Sequence, residues 1–69
     1  MTYTAVKRLN PGDAIYWNDP DSGIASRTLV IRSIDASRPD LIVIEAADDS
    51  VLECLPRELS RDVTRKGNQ

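Results

Sequence analysis

Apolar positions along this chain fall in short runs separated by turn-forming residues, the spacing of strands rather than helices. Asn10-Pro11-Gly12-Asp13 opens the first clear unit. Proline presets φ at the second position and glycine supplies φ > 0 at the third, which suits a type II turn. Ala14-Ile15-Tyr16-Trp17 then reads as a strand. Alternation puts Ile15 and Trp17 on one face and Ala14 and Tyr16 on the other, and the Ile15 face is assigned to the core.

Residues 18–23 are all turn-forming, Asn, Asp, Pro, Asp, Ser and Gly in succession, and predict an open, exposed loop. Residues 24–35 form the longest predicted strand. Ala25, Leu29 and Ile31 share one parity, while Val30 and Ile34 take the other. Either both faces are partly covered or a bulge re-aims the strand, the device by which small barrels close. A turn follows over 36–40, then an apolar strand over 41–47 broken only by Glu45. Asp48-Asp49-Ser50 closes a hairpin. The strand over 51–55 sets Leu52 and Cys54 on one face, with Val51, Glu53 and Leu55 on the other. Pro56-Arg57-Glu58-Leu59 reads as one helical turn, with Leu59 pointing back to the core.

The two ends carry weaker patterns. Tyr3, Ala5 and Val6 suggest an edge strand, with Leu9 tucked beneath the core. Beyond Ser60 the chain is polar. Leu59 with Val63, and Asp62 with Lys66, have i,i+4 spacing that allows a short helix to about Gly67; a final strand through Val63, or fraying, fits equally. The prediction is therefore all-β: four to five antiparallel strands twisted into a small barrel, with a short helical turn near the C-terminus. One domain spans residues 1–69, its core about 9–60 and its polar tail 61–69.

Composition narrows the chemistry. At 69 residues, with one cysteine, the chain cannot staple itself with an intrachain disulfide and must rely on apolar packing, helped or not by self-association. It has no histidine, and so lacks the commonest general base and metal ligand. No apolar leader opens the sequence, and the run Leu41-Ile42-Val43-Ile44 is far too short to cross a bilayer. With a single reduced cysteine, these features predict a cytoplasmic protein without a membrane role. Charge is uneven. Residues 13–53 carry nine acids against Arg27, Arg32 and Arg38, whereas Lys7 and Arg8 precede them and Arg57, Arg61, Arg65 and Lys66 follow. An acidic body disfavours a nucleic-acid backbone, although the basic tail could touch phosphates.

Candidate reactive groups have simpler structural explanations. Cys54 lacks a histidine to activate it and alternates with strand apolar residues, so it reads as a buried small hydrophobe. Asp19-x-Asp21-x-Gly23 is similar to the start of a calcium loop, yet the sixth and twelfth positions hold Ile24 and Val30 where glycine and glutamate are needed. Its carboxylates are better read as caps on their own loop. No phosphate loop, zinc spacing or nucleophile elbow is present, and no catalytic residue, cofactor or metal is expected.

Pro11-Gly12-Asp13-x-Ile15-Tyr16-Trp17, the loop with Pro20 and Gly23, the long bent strand to Ile34, the two hairpins and the Pro56-Arg57-Glu58-Leu59 turn together resemble an SH3-like barrel. The Gly-Asp-x-apolar opening resembles Tudor-like and KOW-like modules. The whole chain is similar to short uncharacterised bacterial proteins of this type, often associated with mobile elements. The resemblance implies a groove flanked by the loop after the first strand and by the terminal helical turn. Tyr16, Trp17, Asp19, Asp21, Pro56 and Arg57 would line it. The Ala-Leu-Tyr-Asp-Tyr opening and paired tryptophan of signalling SH3 domains are absent, which speaks against proline-rich ligands. The Val-Gln-Ile-Tyr run of the SH3-like type II dihydrofolate reductase is replaced by Val51-Leu52-Glu53-Cys54. The expected function is a non-enzymatic module that binds a protein partner, or a second copy of itself, through its aromatic and acidic-loop surface. The alternative is a nucleic-acid accessory protein using Arg61, Arg65 and Lys66. A third is a subunit that acts only as a homo-oligomer.

Overall fold

The computed structural model describes residues 1–61. A four-residue helix α1 (Tyr3–Val6) precedes five strands: β1 (Ala14–Trp17), β2 (Arg27–Arg38), β3 (Leu41–Ala46), β4 (Val51–Cys54) and β5 (Leu59–Arg61). A 3-10 turn, Pro56–Glu58, joins the last two. All pairings are antiparallel, and the strands lie side by side in the order β4-β3-β2-β1-β5. The all-β class, the strand number and the late helical turn agree with the sequence.

Of the two readings of the parity change in β2, the structure has the register shift. Pairing of β2 with β3 shifts register between Ile31 and Ser33, and again between Asp35 and Arg38. Before the first shift Leu29 and Ile31 are buried; after it Ile34 and Ala36 pack against the core instead. The inward parity thus changes at Arg32, which is exposed. One twelve-residue strand can therefore pair with β1 along its first half and with β3 along its second, while keeping an apolar side inward in both. Ile15, Ile31, Ile42, Ile44, Leu59 and Val6 are fully buried between the halves. Each such side chain is worth about 1.5–3 kcal/mol of transfer free energy.

The turn at 10–13 forms as its residues require. Gly12 has φ +97°, Asp13 N–H donates to the Asn10 carbonyl at 3.0 Å, and the Asp13 carboxylate accepts from Asn10 N–H at 2.8 Å. Gly12 N–H also donates to Ile31 O at 2.7 Å, and Ile31 N–H to Asp13 O at 2.9 Å. The turn is thereby tied to β2 just before the first register shift.

Several expectations are corrected. Tyr3, Ala5 and Val6 form α1 rather than an edge strand. The Thr2 hydroxyl caps this helix by accepting from Ala5 N–H at 3.1 Å. Val6 and Leu9 then close one end of the core, and the Tyr3 hydroxyl donates to Ala36 O. The loop after β1 runs to Ser26, so Ile24 and Ala25 belong to it and not to the strand. The strand itself continues to Arg38, which shortens the next turn to Pro39 and Asp40. Leu59 does point inward, but as the first residue of β5 paired with Trp17. The suggested helix to Gly67 and strand through Val63 fall beyond Arg61, outside the described residues. No helix among the described residues is long and apolar enough to cross a membrane.

Gly12→Ala forces an L side chain into the left-handed region although no atom lies in its way. It is expected to cost about 1–2 kcal/mol, read as a lower urea midpoint at unchanged m-value.

Candidate functional site

Alternation on β1 separates the two aromatics. Trp17 shares the Ile15 side and packs at the rim of the core, half-buried. Its indole Nε1–H donates to Glu58 Oε1 at 2.9 Å. Glu58 Oε2 in turn accepts Leu55 N–H at 3.0 Å, and Glu58 N–H donates to Leu55 O at 3.0 Å. The Glu58 carbonyl accepts Asn18 N–H at 2.8 Å. One glutamate thus joins the indole, the 3-10 turn and the first residue of the loop. The sequence offered a weak sign of this: Glu58 stands three residues after Leu55, where it can reach back to that amide as a helix-entry carboxylate does.

Tyr16 faces the other way and is exposed at 37%. It sits on the middle strand of β2-β1-β5, opposite Thr28 on one side and Ser60 on the other. Ala14 and Val30, paired with each other one step along, share its face. Beside that face, among the described residues, lies an open cleft of about 210 Å³ lined by Thr28, Leu29, Val30, Ala46, Ala47 and Asp48. It exists because the β2–β3 ladder ends at the bond from Ala47 N–H to Val30 O, after which the 47–50 hairpin diverges. Arg27 holds that hairpin, donating to Asp48 at 3.2 Å and to the Ser50 hydroxyl at 2.9 Å.

The loop of residues 18–26 is closed on itself. Asp19 Oδ1 accepts Asp21 N–H at 3.0 Å and Oδ2 accepts Ala25 N–H at 3.2 Å. Asp19 N–H donates to the Ser26 hydroxyl at 2.8 Å, and Ser26 N–H to Gly23 O at 3.2 Å, with Gly23 at φ +78°. Asp19 is therefore occupied as a loop cap, while Asp21 is exposed. Ile24, at 88% exposure, is the most exposed large hydrophobic residue described. Sequence reasoning missed it by counting it as the first residue of a strand; the available sign was a lone apolar residue directly after Gly23. Arg57 is exposed on the 3-10 turn and Pro56 is half-buried beside it. The structure so brings Trp17, the loop base and the 3-10 turn together, and sets Tyr16 on the opposite side of β1.

The body's three arginines, Arg27, Arg32 and Arg38, are all paired. Arg27 meets Asp48, Arg32 bridges Glu45 at 3.0 Å and Asp49 at 2.6 Å, and Arg38 meets Asp40 at 2.9 Å. Such exposed pairs add little stability each. Their effect is to use up the arginines of an acidic body. Of the proposed phosphate contacts, Arg61 is exposed at the end of β5, and Arg65 and Lys66 lie outside the described residues. Cys54 is buried, and its thiol is pushed up to about 12, first by desolvation and then by the charge of Glu58. A thiol so placed is no nucleophile at neutral pH.

Several carboxyls are held below their ordinary values: Asp35 by the Ser37 amide and hydroxyl, Asp40 by Arg38, Glu45 by Arg32, and Asp48 by the Ser50 hydroxyl and amide. A depressed folded pKa gives stability that is present above the unfolded value and lost as pH falls through the folded one. The urea midpoint is expected to be flat from about pH 7 to pH 5 and to fall below about pH 4.5. Cys54 has the opposite sign. Its raised value makes stability decline as pH climbs from about 9, and Cys54→Ala flattens that limb.

Removing the glutamate clamp strands two donors. Glu58→Ala is expected to cost about 1–3 kcal/mol, with Glu58→Gln in between because its amide oxygen can still accept one bond. Urea titration followed through the fluorescence of Trp17, the chain's one tryptophan, reads both. Set beside known proteins, the chain matches no family model, no curated protein and no solved structure.

Proposed function

We propose that this chain is a non-enzymatic protein-interaction module, an SH3-like barrel whose contact surface centres on Tyr16. The observation that carries the reading is the division of labour on β1. Trp17 is committed to the fold through Glu58, while Tyr16 is left exposed at the centre of a three-stranded face. A tyrosine on a central strand has its backbone fixed by neighbours on both sides, so little freedom remains to be lost on binding. Tyrosine is also among the residues that dominate contact energies. Of the other expected contact residues, Asp21 is exposed on the loop that follows β1, Asp19 is taken up as that loop's cap, and Arg57 is exposed on the turn beside Trp17.

Partner chemistry follows from charge. With Arg27, Arg32 and Arg38 paired to their own acids, the body offers carboxylates outward, which favours a basic or neutral protein surface. A chain without histidine, its one thiol buried, offers neither of the commonest catalytic groups, which favours binding over catalysis. A cytoplasmic setting and a mobile-element origin belong to the same reading.

Capture experiments with immobilised wild type and Tyr16→Ser test it. Both proteins are expected to stay folded by Trp17 fluorescence, and the variant to lose its partner with an affinity drop of about 30-fold, the loss of one hot spot. Equal capture by the two proteins overturns the reading.

A further inference from the structure

One edge of the sheet is left open. In an antiparallel ladder every second residue turns its N–H and C=O away from the partner strand. Ala46 N–H donates to Ser50 O at 2.8 Å, and the register continues through Ile44↔Leu52 and Ile42↔Cys54. Leu52 and Cys54 therefore bond to β3, while Val51, Glu53 and Leu55 turn their backbone groups outward. Leu55 is already satisfied. Glu58 Oε2 accepts its N–H, and Glu58 N–H donates to its carbonyl. Val51 and Glu53 are not: β4 ends the sheet, and among the described residues nothing bonds their backbones on that side. Both residues are exposed, Val51 at 63%. At the opposite end of the sheet, β5 is closed at Leu59, whose N–H donates to Pro56 O and whose carbonyl accepts the Met1 amine at 2.7 Å.

We infer that β4 pairs antiparallel with β4 of a second copy, about a two-fold axis beside Leu52, joining the two sheets into one. What covers the edge follows from what it lacks. Val51 and Glu53 each offer one N–H and one C=O, two residues apart on an extended strand, and an identical edge turned about the axis offers the same set. Val51 N–H then donates to Glu53 O of the second copy, and Glu53 N–H of the second copy donates to Val51 O. The axis repeats both bonds, so every open group on the two edges is used once. Charge chooses the register. A slip by two residues in one direction sets Glu53 opposite Glu53, and in the other opposite Asp49; like charges directly opposite are destabilising. The inferred register sets Glu53 opposite Val51. β4 lies three places from β1 in the sheet, so the inference stands apart from the reading of Tyr16.

β4 is four residues long and carries Glu53, and both features blunt an edge. The ladder is therefore weak and calls for concentrations up to about 1 mM. Sedimentation velocity of the full chain is expected to show a mass that rises with concentration and levels at two chains, because the pairing uses up both edges. Glu53→Pro removes an outward N–H without touching the bonds to β3, and is expected to weaken the dimer roughly tenfold or more. Position 51 reads the register. Val51→Lys sets a cation opposite Glu53 of the second copy and is expected to tighten the dimer roughly threefold to tenfold. Val51→Glu sets two acids opposite each other and is expected to weaken it by about as much. A cooperative urea transition followed by Trp17 fluorescence shows that each variant folds; where Glu53→Pro has none, the two Val51 variants decide alone. Wild type that stays monomeric to about 1 mM overturns the inference. So does a mass that climbs past two chains, a dimer that folded Glu53→Pro leaves intact, or one that Val51→Lys weakens. Tyr16→Ser is expected to leave the dimer unchanged, and a dimer lost on that change also overturns the edge pairing.

Discussion

The fold turns on the first of two register shifts in β2, the one between Ile31 and Ser33. A strand with strict alternation keeps one side inward along its whole length. Here the strand must cover the core from two directions, beside β1 and then beside β3, and a flat ribbon cannot do both. The bulge at Arg32 absorbs the difference: Leu29 and Ile31 point inward before it, Ile34 and Ala36 after it. The same residue reaches out to Glu45 on β3 and Asp49 in the hairpin, so the irregular point carries charge pairs to both neighbours. The Gly12 turn bonds to Ile31 at the same place. Backbone pairing, core burial and the first turn therefore meet within a few residues.

That constraint also shapes the surface. Because β2 passes from one half to the other, its first half is free of β3, and the 47–50 hairpin only partly follows it. The cleft is what remains between them, spanned by the Arg27 contacts to Asp48 and Ser50. β1, held on both sides, becomes the firm middle of the outer face, and Tyr16 inherits its rigidity. At the far end Glu58 does for the loop what the bulge does for the strand. It binds the indole, the turn and Asn18 together, so that the loop leaves the body at a fixed place.

How much of this was legible in the sequence follows from how local each cause is. The Pro11-Gly12 turn, the β1 alternation and the two later hairpins rest on chemistry within a few residues, and they could be read directly. The parity change between Ile31 and Ile34 was visible as a pattern, though its alternative, a strand covered on both faces, could be separated from a bulge only by register. The N-terminal segment went wrong because Tyr3, Ala5 and Val6 fit a strand as well as a helix, and the Thr2 cap tipped the balance. Ile24 fits a strand by apolar character alone, whereas its place directly after Gly23, at φ +78°, keeps it in the loop. The Glu58–Trp17 bond, spanning forty-one positions, could not be read from spacing at all.

The candidate site is less legible than the fold for a physical reason. An exposed tyrosine and a buried one look the same in a string of letters; the phase of alternation decides between them, and only the core fixes the phase. Once Ile15 is inward, Trp17 must follow it and Tyr16 must face out, so the placement of the exposed aromatic is a consequence of burying one isoleucine. The same logic applies to the loop. Asp19 spends both carboxylate oxygens on backbone amides, and that expense of polar groups is what keeps Ile24 in water. Loop order alone would be met equally by a polar residue at position 24. The isoleucine's exposure is thus a consequence of how the loop is capped, set by Asp19 and Ser26 rather than by anything Ile24 contacts.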